Sequence, residues 1–214
     1  LGPSRIEPFL LPDGSLYSGW AQVDVVDLSC GLDFELRTNN CIVQHDFSGF
    51  GGATDVSFRV GEAGGEVNLF INGFGACADD WIDYDGLTFG GVGVSITRGG
   101  YEYDCTEVTL SGVVGSLGIG GQEHAVDCIE FRPHDNNGGG GGLDCATYDD
   151  MVPGPAAIYH ASDSFYTDGI LCKVRPQVFP DGSEYTAGSS FAQPSFLACG
   201  SGQELASYAS AVDH

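Results

Sequence analysis

The segment Pro12-Asp13-Gly14-Ser15-Leu16-Tyr17-Ser18 returns 168 positions later as Pro180-Asp181-Gly182-Ser183-Glu184-Tyr185-Thr186. The match extends both ways. Arg5-Ile6-Glu7-Pro8 answers Lys173-Val174-Arg175-Pro176, and after a one-residue insertion Cys30-Gly31, Glu35-Leu36 and His45 answer Cys199-Gly200, Glu204-Leu205 and His214. Matches that keep their order through Pro, Gly, Cys and His constrain the same turns and cross-links twice, which is the signature of an internal repeat. Residues 173–214 are therefore expected to follow the backbone path of residues 5–45. A copy of 42 residues rarely buries enough apolar surface to fold alone. It is expected to pack on the first copy, to be completed by another chain, or to begin a longer tandem array.

The chain carries 30 Asp+Glu against 7 Lys+Arg, a net charge of -23 and a pI near 4.1. Such a surface repels phosphate backbones and anionic lipid, which argues against nucleic acid and electrostatic membrane docking as partners. With 42% hydrophobic residues it is too apolar for a disordered acidic tail. No apolar run reaches the length of a membrane span and no basic-then-apolar leader precedes Leu1, so Leu1 is expected to be the start of a processed or trimmed chain. Eight cysteines, Cys30, Cys41, Cys77, Cys105, Cys128, Cys145, Cys172 and Cys199, show neither C-x-x-C nor zinc-finger spacing. An even, widely spaced set in a Gly-rich acidic chain reads as disulfides, about 2 to 4 kcal/mol each, in an extracellular or cell-surface setting. Cys77 and Cys105, which bracket an acidic loop, are the first pair to expect. The cysteine pattern differs between the copies: Cys30 matches Cys199, but Cys41 aligns with Ser210 and Cys172 with Ser4.

Period-two alternation places Val56, Phe58 and Val60, then Val67, Leu69 and Ile71, then Val92, Val94 and Ile96, then Val108 and Leu110 on one face each. Glycine clusters and Asn72-Gly73 punctuate these runs. The expected fold class is all-β, an antiparallel, jelly-roll-like, disulfide-stapled β-sandwich with a partial second repeat. One helix-like stretch, Gln203 to Ala211, has its counterpart in Phe34 to Cys41. Asn136-Asn137 followed by Gly138 to Gly142 reads as a linker or a long loop. The expected division is a sandwich over 1–133, a glycine-rich segment 134–142, and a second segment 143–214 holding the partial repeat.

The stretch Gly90-Gly91-Val92-Gly93-Val94-Ser95-Ile96, with Thr109-Leu110-Ser111-Gly112-Val113, Leu117-Gly118-Ile119-Gly120-Gly121-Gln122-Glu123 and Val126-Asp127-Cys128-Ile129-Glu130-Phe131, resembles the closing strands of jelly-roll modules in secreted bacterial surface proteins. The likeness covers about Thr54 to Phe131. It implies a tandem module attached to carbohydrate-binding or adhesive proteins and transfers no catalytic residue.

Asp79, Asp80, Asp83 and Asp85 form the densest carboxylate cluster. Calcium takes six to eight oxygens, so this loop is the candidate calcium site, against a solvated acidic loop. Trp81, Tyr84, Tyr101 and Tyr103 either offer a platform for sugar rings or pack beneath the loops. No G-x-S-x-G elbow is present, the five histidines lack metal-ligand spacing, and His45 and His214 recur with the repeat as structural residues do. The expectation is a non-enzymatic extracellular structural protein, subunit of a surface fibre or tandem stalk that assembles with itself head to tail by strand complementation. The alternative is a calcium-dependent carbohydrate-binding or adhesive module.

Overall fold

The computed structural model describes residues 9–10, 16–17, 19–25, 34–63, 65–98, 105–134, 144–146, 148, 158–159 and 163–176. In chain order the strands are β1 (Phe9–Leu10), β2 (Leu16–Tyr17), β3 (Trp20–Val25), β4 (Phe34–Asn39), β5 (Cys41–Asp46), β6 (Ala53–Glu62), β7 (Val67–Ile71), β8 (Phe74–Ala78) and β9 (Thr88–Phe89). They continue as β10 (Val92–Arg98), β11 (Thr106–Ser111), β12 (Ser116–Gly121), β13 (His124–Pro133), β14 (Asp144–Ala146), β15 (Ile158–Tyr159), β16 (Ser164–Thr167) and β17 (Ile170–Pro176).

Two antiparallel sheets pack as a sandwich. The larger has the order β15-β3-β4-β13-β6-β11-β10-β9, with β14 also on β13; the smaller has the order β16-β17-β5-β12-β7-β8, and β1 pairs with β2 as a separate hairpin. The alternation read from the sequence decides which side chains face inward. Val56, Phe58 and Val60 of β6 pair across with Leu110, Val108 and Thr106 of β11, and all six are buried, whereas Arg59, Glu107 and Thr109 are exposed. The smaller sheet answers with Val43, Leu69, Ile71, Leu117, Ile119 and Val174, which join the same core. Each fully buried aliphatic or aromatic side chain contributes roughly 1.5–3 kcal/mol.

β13 organises the larger sheet. His124–Val126 pair with β4, Ile129–Phe131 pair with β14, and β6 flanks the other side. Register shifts interrupt the pairing with β6 after Asp127, where Cys128 takes a left-handed φ of 43°, as a β-bulge requires. Its disulfide to Cys145 of β14 spans a Cα–Cα distance of 5.8 Å.

β14 to β17 all follow the glycine-rich tract; β14, β15 and β17 pair with β13, β3 and β5, and β16 pairs with β17. The division at 134–142 therefore does not separate the pairing into two units: residues 144–176 supply strands to both sheets of one sandwich. The helix-like expectation over Phe34 to Cys41 gives way to β4, because Leu36 and Thr38 turn inward while the backbone pairs with β3 and β13. Gln203 to Ala211, Asn136 to Gly142 and the repeat beyond Pro176 lie outside the described residues.

Asn72 and Gly73 form the two-residue turn between β7 and β8, with φ of 54° and 82°, the conformation that favours Asn-Gly. The Asn72 carboxamide also fastens this end of the sandwich. Its Oδ1 accepts from Gly115 N (2.7 Å) and Ser116 N (3.3 Å), and its Nδ2 donates to Val113 O at 2.9 Å. Those groups lie in the crossing from β11 in the larger sheet to β12 in the smaller. Asn72→Ala forfeits the hydrogen bonds and forces a Cβ residue into a left-handed turn, so urea unfolding is expected to show a loss of roughly 2 to 4 kcal/mol. Asn72→Gly keeps the turn and is expected to lose about 1 kcal/mol less.

Candidate functional site

The acidic loop folds as one turn of 3-10 helix, Trp81–Tyr84. Side chains three apart share a face in that geometry, and both Trp81 and Tyr84 face the core with 1% of their surface exposed. Trp81 packs edge-on against Phe58 at 6.2 Å and beside His124 at 5.2 Å; Tyr84 packs on Phe89 at 6.0 Å. The Tyr84 hydroxyl lies 2.8 Å from the carbonyls of both Val67 and Ala76 and gives its one proton to either. Trp81 and Tyr84 are thus core residues, which corrects the sugar-platform expectation for them; Tyr101 and Tyr103 lie outside the described residues.

Two carboxylates of this loop serve the backbone. Asp80 Oδ1 accepts from Ile82 N at 3.2 Å to cap the 3-10 turn, and Asp85 Oδ1 accepts from Ile96 N at 2.9 Å, tying the loop to β10. Among the described residues no three His, Cys, Asp or Glu side chains converge to hold a metal ion. Asp79, Asp80, Asp83 and Asp85, the residues of the calcium expectation, are not brought together as such a group.

Two histidines are buried on the inner faces. His124 Nε2 accepts from the Trp81 indole at 3.0 Å. Trp donates only, so the proton of the neutral ring sits on Nδ1, which is buried without a hydrogen-bond partner, as is Oγ1 of its cross-strand neighbour Thr38. Near the opposite end, His45 Nδ1 donates to Leu117 O at 3.2 Å, leaving Nε2 to accept from the Tyr148 hydroxyl at 2.9 Å. Desolvation lowers His45 to about 4 and His124 to about 3. Burial, with the charges of Cys172, Asp127 and Asp168 adding to it, pushes the Tyr148 hydroxyl well up. Nothing in the sequence singled out Tyr148, while the recurrence of His45 in the repeat pointed to its structural place.

The cysteines divide. Cys128 and Cys145 form a disulfide, and Cys77 and Cys105 are disulfide-bonded too. Cys41 and Cys172 are buried and stand outside these disulfides, where most or all of the eight were expected to be bonded. Cys41 stands opposite Pro176 and Cys172 opposite His45. Four residues of strand separate them, about 13 Å and far beyond the reach of a disulfide. Cys30 and Cys199 lie outside the described residues.

On the outer face of the larger sheet a shallow groove of about 550 Å³ is lined by Asp55, Ser57, Glu107, Thr109 and Ser111 among others. Asp55 sits in a left-handed kink of β6 with φ of 50° and pairs with the Arg132 guanidinium at 2.9 Å. Both partners are exposed, so the pair contributes about 0–1 kcal/mol. Among the described residues two aromatic side chains stand out to solvent, Phe74 on β8 at 65% and Tyr166 on β16 at 67%. Sequence reading passed over both; the alternation of Phe165 inward and Tyr166 outward in Ser164–Thr167 was the available signal. No helix among the described residues is long and apolar enough to cross a membrane.

No protein-family model, no curated protein and no solved structure matches this chain.

Both imidazoles are lowered from 6.5 in the fold, so the unfolded chain binds more protons below that value. Their contribution is complete above about pH 6.5 and is lost as the pH falls toward 4 for His45 and toward 3 for His124. His45→Gln retains an acceptor for Tyr148 without titrating. Urea unfolding at pH 7 and pH 4 is expected to show the native chain losing roughly 2–4 kcal/mol more than this variant across the interval; equal losses would remove His45 as a source of acid sensitivity.

Proposed function

We propose that this chain is an extracellular structural protein whose sandwich is the building block of a surface fibre or stalk extending head to tail. The observation that carries the reading is the placement of the two most exposed aromatics among the described residues. Phe74 and Tyr166 occupy β8 and β16, the opposite edge strands of the smaller sheet. Neither strand holds a charged residue: β8 is Phe-Gly-Ala-Cys-Ala and β16 is Ser-Phe-Tyr-Thr. Natural edge strands normally carry charges that discourage further pairing.

On a chain of net charge -23, these uncharged strips are where two copies meet at least electrostatic cost. Adding β16 of one copy to β8 of the next continues the smaller sheet across the junction. The two surfaces are different, so the contact does not close on itself and propagates. The disulfides suit an oxidising exterior.

A carbohydrate-binding reading has one observation in its favour. The groove beside Asp55, Ser57 and Thr109 presents hydroxyls and carboxylates that match the hydrogen-bonding surface of a polyhydroxylated ligand.

Sedimentation velocity separates the readings. The native chain is expected to form larger species as concentration rises. Phe74→Lys and Tyr166→Lys are each expected to stay monomeric at an unchanged urea midpoint, and an equimolar mixture of the two to stop at the heterodimer, since each variant keeps one edge. Polymers from either variant alone, or a native chain that stays monomeric, would sink the fibre reading. Retention of the monomeric variants by a glycan panel would favour the second.

A further inference from the structure

β17 closes the smaller sheet between β5 and β16, and it is also where the repeated sequence sets in. Its side chains divide by face: Val174 is 2% exposed and Cys172 is buried, while Lys173 and Arg175 are exposed. The matching residues near the N-terminus keep the same alternation of residue types. Ile6 answers Val174, the small Ser4 answers Cys172, Arg5 and Glu7 answer the two exposed positions, and Pro8 answers Pro176. The next residue, Phe9, begins β1 and pairs with Tyr17. Its counterpart Gln177 likewise follows a proline and precedes a second Pro-Asp-Gly-Ser turn sequence.

Pro176 is paired in β17, opposite Cys41, and Phe9 is paired in β1, opposite Tyr17. The repeat makes Pro8 the counterpart of Pro176, so a residue paired in the closing strand is followed directly by the counterpart of one paired in the first hairpin.

We infer that Phe9–Pro176 is one repeating unit made to be joined covalently to a second copy of itself, the closing strand of one unit running without a linker into the first strand of the next. The junction sequence occurs twice, at Pro8–Phe9 and at Pro176–Gln177. Proline at each junction fixes φ near −65°, and the direct strand-to-strand passage removes the freedom that a flexible linker supplies. An array built in this way is stiff. The inference rests on the repeat and on β17, independently of any pairing between β8 and β16.

The test inserts a second copy of residues 9–176 directly after Pro176 of the full chain. The expected result is about twice the number of slowly exchanging amides at an unchanged denaturant midpoint, with a maximum dimension in X-ray scattering increased about twofold. Slow amides numbering those of one unit, or a lowered midpoint, overturn it. Should the longer chain aggregate, limited proteolysis of the unmodified chain decides: a resistant fragment ending within a few residues of Pro176 supports the unit boundary, and one that runs on to residue 214 overturns it. A native chain that stays monomeric removes the fibre reading and leaves this inference standing, whereas fibres from a chain whose inserted copy is unfolded do the reverse.

Discussion

The pairing of β17 with β5 is the contact on which the rest of the sandwich depends. Six residue pairs join Leu171–Pro176 to Asp46–Cys41, so a strand near residue 174 must find one near residue 43. Contacts of that separation are costly in chain entropy and slow to form. Without them Val43, His45, Cys41 and Phe47, all fully buried in the fold, would lose the cover on one side of β5. The Cys128–Cys145 disulfide has a bearing on this search. It ties β14 to β13 across 17 residues, worth about 3 kcal/mol in the chain-entropy account, and it starts the return path from a fixed point beside the sheet. The chain beyond Cys145 is then a much shorter tether than the full separation in sequence.

That closure also encloses polar groups at some expense. His45 is held between Leu117 O and the Tyr148 hydroxyl, and the register places Cys172 of β17 directly across from it. His124 has one partner, the Trp81 indole. A neutral imidazole is tolerated in such places and a charged one is not, which is why both rings are driven far below their ordinary titration. The compensation is specificity. Trp81 reaches His124 only when the 3-10 turn is docked on the larger sheet, and Tyr148 reaches His45 only when its own side chain is set against β5 of the smaller one, so each hydrogen bond reports correct assembly.

Much of this architecture was legible in the sequence because alternation is a direct consequence of strand geometry. Val56-Phe58-Val60, Val67-Leu69-Ile71, Val92-Val94-Ile96 and Val108-Leu110 became β6, β7, β10 and β11. Shorter elements carry no such period. β14 and β15 hold three and two residues, too few to alternate, so a glycine tract ahead of them looked like a boundary. β4 misled for another reason: Glu35 is fully buried, against the usual placement of a carboxylate, and the binary pattern fails there. The aromatic loop had a readable signal, since Trp81 and Tyr84 stand one 3-10 turn apart and Asp80 occupies a capping position. The cysteines had one as well. The repeat replaces Cys41 and Cys172 with serine and keeps Cys30, and the two replaced residues are the ones that stand outside the disulfides among the described residues; a site that accepts serine needs a small side chain and no cross-link.

The charge distribution bears on the proposed assembly. Interactions among surface charges fade over about 8 Å at physiological ionic strength, so a net charge of -23 acts on approaching copies mainly through the carboxylates nearest the point of contact. For the smaller sheet these flank the edges rather than interrupt them. Asp79 and Asp80 follow β8, and Asp163 and Asp168 bracket β16. Under the proposed edge-to-edge contact, those carboxylates would meet across the ends of the added strand pair and oppose it when unscreened, while Phe74 and Tyr166 gain from leaving water. Dilution in low salt would therefore favour separate copies and physiological salt joined ones. A covalent array would have no such dependence, because its units would be held together by the chain itself. Salt would thus separate the two proposed modes of extension: the lateral contact would respond to screening, and a strand-to-strand junction at Pro176 would not.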